Sequence, residues 1–133
     1  MNRMEGTIEA VEGKAGILSI QVSTPAGPIE ALVFGTSGSV PWIVPSARVV
    51  ASFKESDVLV APRGAFPWPG SIPARVAGKT DSDILSRLDL DCGGGRIVAL
   101  VPVVRLSHLG IGTGSEIDAW VHPHEVVLEE IGT

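Results

Sequence analysis

The sequence predicts an all-β protein made of two consecutive five-stranded β-barrels, each with a short helical crossover. An internal repeat, short alternating segments and turn residues between them carry this expectation. Residues 28–34 read Pro28-Ile29-Glu30-Ala31-Leu32-Val33-Phe34, and residues 96–102 read Arg96-Ile97-Val98-Ala99-Leu100-Val101-Pro102. The pairs Ile29/Ile97, Ala31/Ala99, Leu32/Leu100 and Val33/Val101 are identical, at an offset of 97 − 29 = 68. That offset runs without a gap through Val49/Ile117, Ala51/Ala119, Phe53/Val121, Asp57/Glu125, Val58/Val126 and Val60/Leu128. Nearer each start, pairing Gly6 with Gly78 and Arg3 with Arg75 implies 78 − 6 = 72, the difference falling in the loops between. A repeat of this length is a whole small domain. It divides the chain into a first unit (1–62), a linker (63–70) and a second unit (71–133).

Each element follows from local pattern. Met4–Ala10 opens the first unit as a strand. Gly16–Ser23 is the second, with Leu18, Ile20 and Val22 on one face and Ser19 and Gln21 on the other. Thr24-Pro25-Ala26-Gly27 is a turn signal, and Pro28–Phe34 completes a hairpin. After the Gly/Ser/Pro-rich stretch from Gly35 to Pro45, Arg48–Lys54 and Val58–Val60 close the unit. In the second unit, Ile84–Asp91 and Ile97–Val101 flank the turn Cys92-Gly93-Gly94-Gly95, where glycine supplies positive φ. Val103–Leu109 reads as a short helix ending at a Gly110 C-cap. Glu116–Val121 and Val126–Leu128 finish the unit. The linker Ala61–Gly70, with Pro62, Pro67, Pro69, Phe66 and Trp68, reads as semi-rigid and packed against something. Five short strands and one crossover per unit fit a small OB-like barrel.

Composition excludes several function classes. A net charge of −5 disfavours a nucleic-acid surface, while leaving room for a small anion held by backbone N–H groups and a few local cations. Cys92 is the lone cysteine, so neither a disulfide framework nor a cysteine zinc site is expected. The first residues carry no apolar leader, and no apolar run approaches the roughly 20 residues that span a bilayer. The reading is a cytoplasmic protein without membrane or nucleic-acid partners. Ser107 and His108 are adjacent, yet no nucleophile elbow or paired acid marks an enzyme. At 44% hydrophobic and 19% charged, the chain has apolar surface to spare for contacts between subunits.

The tandem order, with the closing segments Ala47–Val60 and Gly114–Leu128, resembles the Mop or TOBE domain, and its doubling resembles the di-Mop molbindins. The resemblance covers nearly the whole chain except the linker. It implies molybdate or tungstate as ligand, no further cofactor, and a homotrimer in which six domains pack around shared axes with sites between subunits. Carried over residue by residue, the family's Lys and Ser of its closing segment match Lys54 and Ser56, whose counterparts are His122 and His124. The family's opening Ser matches Ser71, while its Arg and Asn fall on Pro73 and Ala74. In the first unit the Asn is Asn2, and Met1 takes the Arg place.

The candidate oxyanion-binding side chains are therefore Lys54, Ser56, Ser71, Arg3, His122 and His124. A tetrahedral dianion needs N–H and O–H donors. Lys54 and Ser56, two apart at a strand end, would share one face, as would His122 and His124 if extended. The same spacings fit a solvated lysine beside a turn serine and surface histidines flanking a proline. Two other functions fit the residues: an oligomeric interaction module of this fold that has lost its anion, and a metal-binding protein using His122 and His124 with a third ligand such as His108 or Glu125.

Overall fold

The computed structural model describes residues 1–131; Gly132 and Thr133, which end the second sequence unit, lie outside the described residues. The strands are β1 (Asn2–Lys14), β2 (Ile17–Thr24), β3 (Gly27–Phe34), β4 (Arg48–Phe53), β5 (Val58–Pro62), β6 (Ile72–Asp81), β7 (Leu85–Asp91), β8 (Arg96–Pro102), β9 (Glu116–Val121) and β10 (Val127–Glu130). One helix, α1 (Val103–Leu109), lies between β8 and β9, and single 3-10 turns occupy Glu55–Asp57 and Pro123–Glu125. The strands form two five-stranded antiparallel sheets, ordered β10-β4-β1-β2-β3 and β5-β9-β6-β7-β8. The all-β, two-times-five expectation holds.

The sheets do not follow the sequence units. The last strand of each repeat crosses to the other: β5 pairs with β9 and β10 pairs with β4. Each 3-10 turn is the crossing point, between β4 and β5 and between β9 and β10. Apolar residues on the inner faces meet in one continuous cluster drawn from both repeats, with Phe53 among its largest members. Ile8, Ile20, Val22, Leu88 and Leu90 alternate with polar neighbours, as half-buried strands require.

Strand register corrects the repeat alignment. Met4 faces Ala51 while Ile72 faces Ala119, and Ile8 faces Val22 while Val76 faces Leu90. Both opening strands carry a bulge, between Ile8 and Ala10 and between Val76 and Gly78. The offset is thus 68 throughout, since 72 − 4 = 68 and 76 − 8 = 68. The counterpart of Gly6 is Ala74, and that of Arg3 is Ser71. The expected Gly6/Gly78 and Arg3/Arg75 pairings do not occur, because the two glycines serve different purposes. A Cβ on Gly6 would stand 2.7 Å from the Ser23 carbonyl oxygen, whereas Gly78 sits at the bulge, its own Cβ position 3.2 Å from Asp89.

Only the second crossover is helical. There Gly110 adopts φ 67 and caps α1, donating to the carbonyls of Leu106 and Ser107. The first crossover, broken by Pro41 and Pro45 and by positive φ at Gly38 (82) and Ser46 (74), runs as turns anchored by buried Ile43.

Two features tie the halves together. The carboxamide of Asn2 donates from Nδ2 to the Val98 carbonyl at 2.8 Å and accepts at Oδ1 from the Val98 N–H at 2.8 Å, satisfying the outer edge of β8. Asn2→Ala is expected to cost about 2 kcal/mol, because it strands two backbone groups of a part-buried edge; chemical denaturation checks this. The hairpin turns also pack against each other. A Cβ on Gly94 would lie 2.7 Å from the Pro25 carbonyl oxygen, and one on Gly95 2.9 Å from the Ala26 nitrogen. The glycine run therefore serves close approach between repeats as well as turn geometry.

Candidate functional site

The outer face of the first sheet ends in a cavity of about 420 Å³ lined by Met1, Ser52, Phe53, Lys54, Asp57, His124, Glu125, Val127 and Glu129. The strand exchange creates it. Ser52 on β4 faces Arg3 on β1 and Val127 on β10, so residues of both repeats share one row. The two 3-10 turns follow β4 and β9, and Lys54 from the first repeat and His124 from the second line the same cavity.

Ser52 is 4% exposed, and its hydroxyl has no hydrogen-bond partner. Lys54 is exposed, and no ion pair among the described residues engages it. Each carboxylate lining the cavity already has a partner. Glu129 lies 3.5 Å from the Arg3 guanidinium, Glu125 lies 3.2 Å from His124 Nε2, and Asp57 accepts from the Lys54 backbone N–H at 3.4 Å. Nearby, the Met1 ammonium donates to Glu55 at 2.6 Å and holds that carboxyl below its usual range.

Of the six candidate side chains, Lys54 and His124 line this cavity, and Arg3 stands in its outer row paired with a lining carboxylate. Ser56 does not line it. The extended spacing assumed for Lys54 and Ser56 fails because Glu55–Asp57 is a 3-10 turn, which breaks the two-residue alternation. His122 and His124 are likewise separated by a turn, yet their rings lie 3.8 Å apart.

His122 and Ser71 belong to the other sheet's outer face. The His122 ring lies 5.1 Å from that of Trp120, and Ser71 immediately precedes Ile72, which faces Ala119. The 63–70 segment lies over this face. Its Trp68 ring meets Trp120 edge-on at 5.5 Å and Phe66 at 5.4 Å. Arg63 pins the segment by donating to the carbonyls of Ile117 at 3.1 Å and Ala74 at 2.9 Å. Its Nε is also 3.1 Å from Asp118 Oδ1. That oxygen receives no aligned N–H, because the Nε–H points to Ile117, so the contact is a charge pair only. The other Asp118 oxygen accepts from the Gly64 N–H at 2.7 Å.

Sequence reasoning missed Ser52. Its signal was a mismatch: at offset 68 its counterpart is Trp120, a small hydroxyl against the largest aromatic amid similar pairs.

Cys92 sits apart from this site. Burial pushes its thiol up to about 11 from 9.0, with Asp91 adding to the rise. At pH 8 it holds roughly a hundredfold less thiolate than an unperturbed cysteine. Alkylation by iodoacetamide is therefore expected to be far slower in the folded protein than in denaturant, read by mass spectrometry.

No protein-family model matches the chain, and no curated protein matches it by sequence. Its structure does find a match. A solved structure of the cytoplasmic molybdate-binding protein ModG, with molybdate bound, superposes with a TM-score of 0.85 at 20% identity, covering 98% of this chain and 96% of that one. The all-β architecture of two five-stranded sheets is thus a fold that this chain shares with ModG.

Proposed function

We propose that this protein binds a tetrahedral oxyanion of the molybdate or tungstate kind, without catalysis, in the cytoplasm, for storage, homeostasis or sensing. The observation that carries the reading is the cavity between the repeats, where Lys54, free of any ion pair among the described residues, meets His124 and the unpaired Ser52 hydroxyl. Lys54 supplies charge, Ser52 an O–H donor, and His124 an imidazole N–H. The fold shared with molybdate-bound ModG supports the ligand class. Among the described residues, no helix is long and apolar enough to cross a membrane.

The proposed assembly is a homotrimer. Phe34 is 90% exposed beside an apolar groove of about 570 Å³, which shares His124 and Val127 with the cavity. A neighbouring copy seated there would stand at the edge of the anion site.

Calorimetric titration with molybdate, tungstate and sulfate tests the reading. Heat of binding with the first two is expected; none with any of the three would sink it. One observation favours the second reading, an assembly module without ligand: Asp57, Glu125 and Glu129 bring three carboxylates to the cavity. Trimers carrying no added mass in molybdate would then be found. Metal binding through His122 and His124 lacks support, since no three His, Cys, Asp or Glu side chains group suitably among the described residues.

A further inference from the structure

The constant offset gives each position around the cavity a counterpart on the other sheet. Ser52 corresponds to Trp120, Lys54 to His122 and Met1 to Pro69; from the opposite repeat, His124 corresponds to Ser56 and Val127 to Leu59. The backbone rows match, for Val127 faces Ser52 as Leu59 faces Trp120. The side chains on them do not.

On the Ser52 side the face is open. A cavity of about 420 Å³ remains, and a buried hydroxyl lining it has no partner. Such a group is costly to leave unsatisfied, and its presence points to an absent acceptor. On the Trp120 side the indole occupies the place of that hydroxyl. Trp68 and Phe66 lean on it with ring centroids at 5.5 and 6.3 Å, and the His122 ring lies 5.1 Å from it. Gly70 turns the strap at φ 89, a conformation that glycine adopts without strain, and lies against the indole. Arg63 and Gly64 hold the strap down through Ile117, Ala74 and Asp118.

We infer that the chain holds one such oxyanion pocket rather than two: Ser52 is a binding residue of the open pocket, and Trp120, covered by Trp68 and Phe66, plugs its twin. The inference rests on the oxyanion reading above and adds stoichiometry and a residue to it. The open pocket offers the Ser52 hydroxyl and the Lys54 ammonium as donors, while its carboxylates stay engaged with Arg3, His124 and the Lys54 backbone. The twin has neither group: an indole stands in place of the hydroxyl, and an imidazole tilted against that indole, without a fixed charge, in place of the ammonium.

Native mass spectrometry of the full chain with increasing molybdate tests this, beside Ser52→Ala and Trp120→Ser. One molybdate per chain is expected for the unaltered protein. Ser52→Ala should lower affinity about tenfold or more, as loss of a hydrogen bond to a charged group does, with no loss of thermal stability. Folded Trp120→Ser should gain a second, weaker equivalent. Two equivalents on the unaltered chain, or undiminished affinity in Ser52→Ala, would overturn the inference and leave the oxyanion reading standing. No bound molybdate at any concentration removes both. If Trp120→Ser does not fold, the unaltered stoichiometry and Ser52→Ala still decide; if it folds and gains nothing, the plug is refuted.

Discussion

Residues 1–62 produced alone are expected to form no folded monomer. In the full chain β4 is covered on one edge by β10, which that fragment lacks, and β5 pairs only with β9, which it also lacks. Val58 and Val60 are buried in the intact protein and would have no sheet to join. A unit of this size is marginal even when complete, because small domains bury too little surface. The fragment should therefore be unfolded or exchange β5 with a second copy. Sedimentation and circular dichroism report the outcome together. A compact monomer with full β signal would contradict the reciprocal exchange.

Lys54→Ala is expected to weaken molybdate binding at neutral pH by about tenfold or more, the usual scale for losing a charge-assisted hydrogen bond. His122→Ala should change it less than about twofold, since that ring packs on Trp120 beside the strap rather than lining the cavity. Lys54→Arg should retain much of the affinity, because it keeps the charge. Titration calorimetry on the three variants gives the ranking, and the reverse order would refute the assignment of the cavity.

Most individual strands were legible because alternation writes them directly: Leu18, Ile20 and Val22 face inward while Ser19 and Gln21 do not. The α1 helix and its Gly110 cap were legible for the same local reason. β6 was not legible, although Ile72, Ala74 and Val76 alternate inward, because Pro73 and Gly78 inside it argue against a strand. Strand exchange could not be read. When two repeats share their pattern, β5 fits the edge of β4 or of β9 equally well by sequence, and the crossing turn decides.

The site was half legible for a related reason. Lys54 and His124 were both singled out, but as counterparts of different roles in separate units; exchange brings them to one cavity. Ser56 was placed by two-residue spacing, which the 3-10 turn breaks, and Ser71 lies just before β6, on the other sheet. Ser52 reads as an ordinary strand residue in the sequence, and only its burial without a partner makes it a candidate.

Tungsten is heavy enough to be located by anomalous scattering, so crystals of the protein grown with tungstate would show where the anion sits. Anion binding by Ser52, Lys54 and His124 predicts an anomalous peak in the cavity they bound, and none against Trp120. A peak only at the Trp120 face, or no peak in the cavity at saturating tungstate, would contradict it.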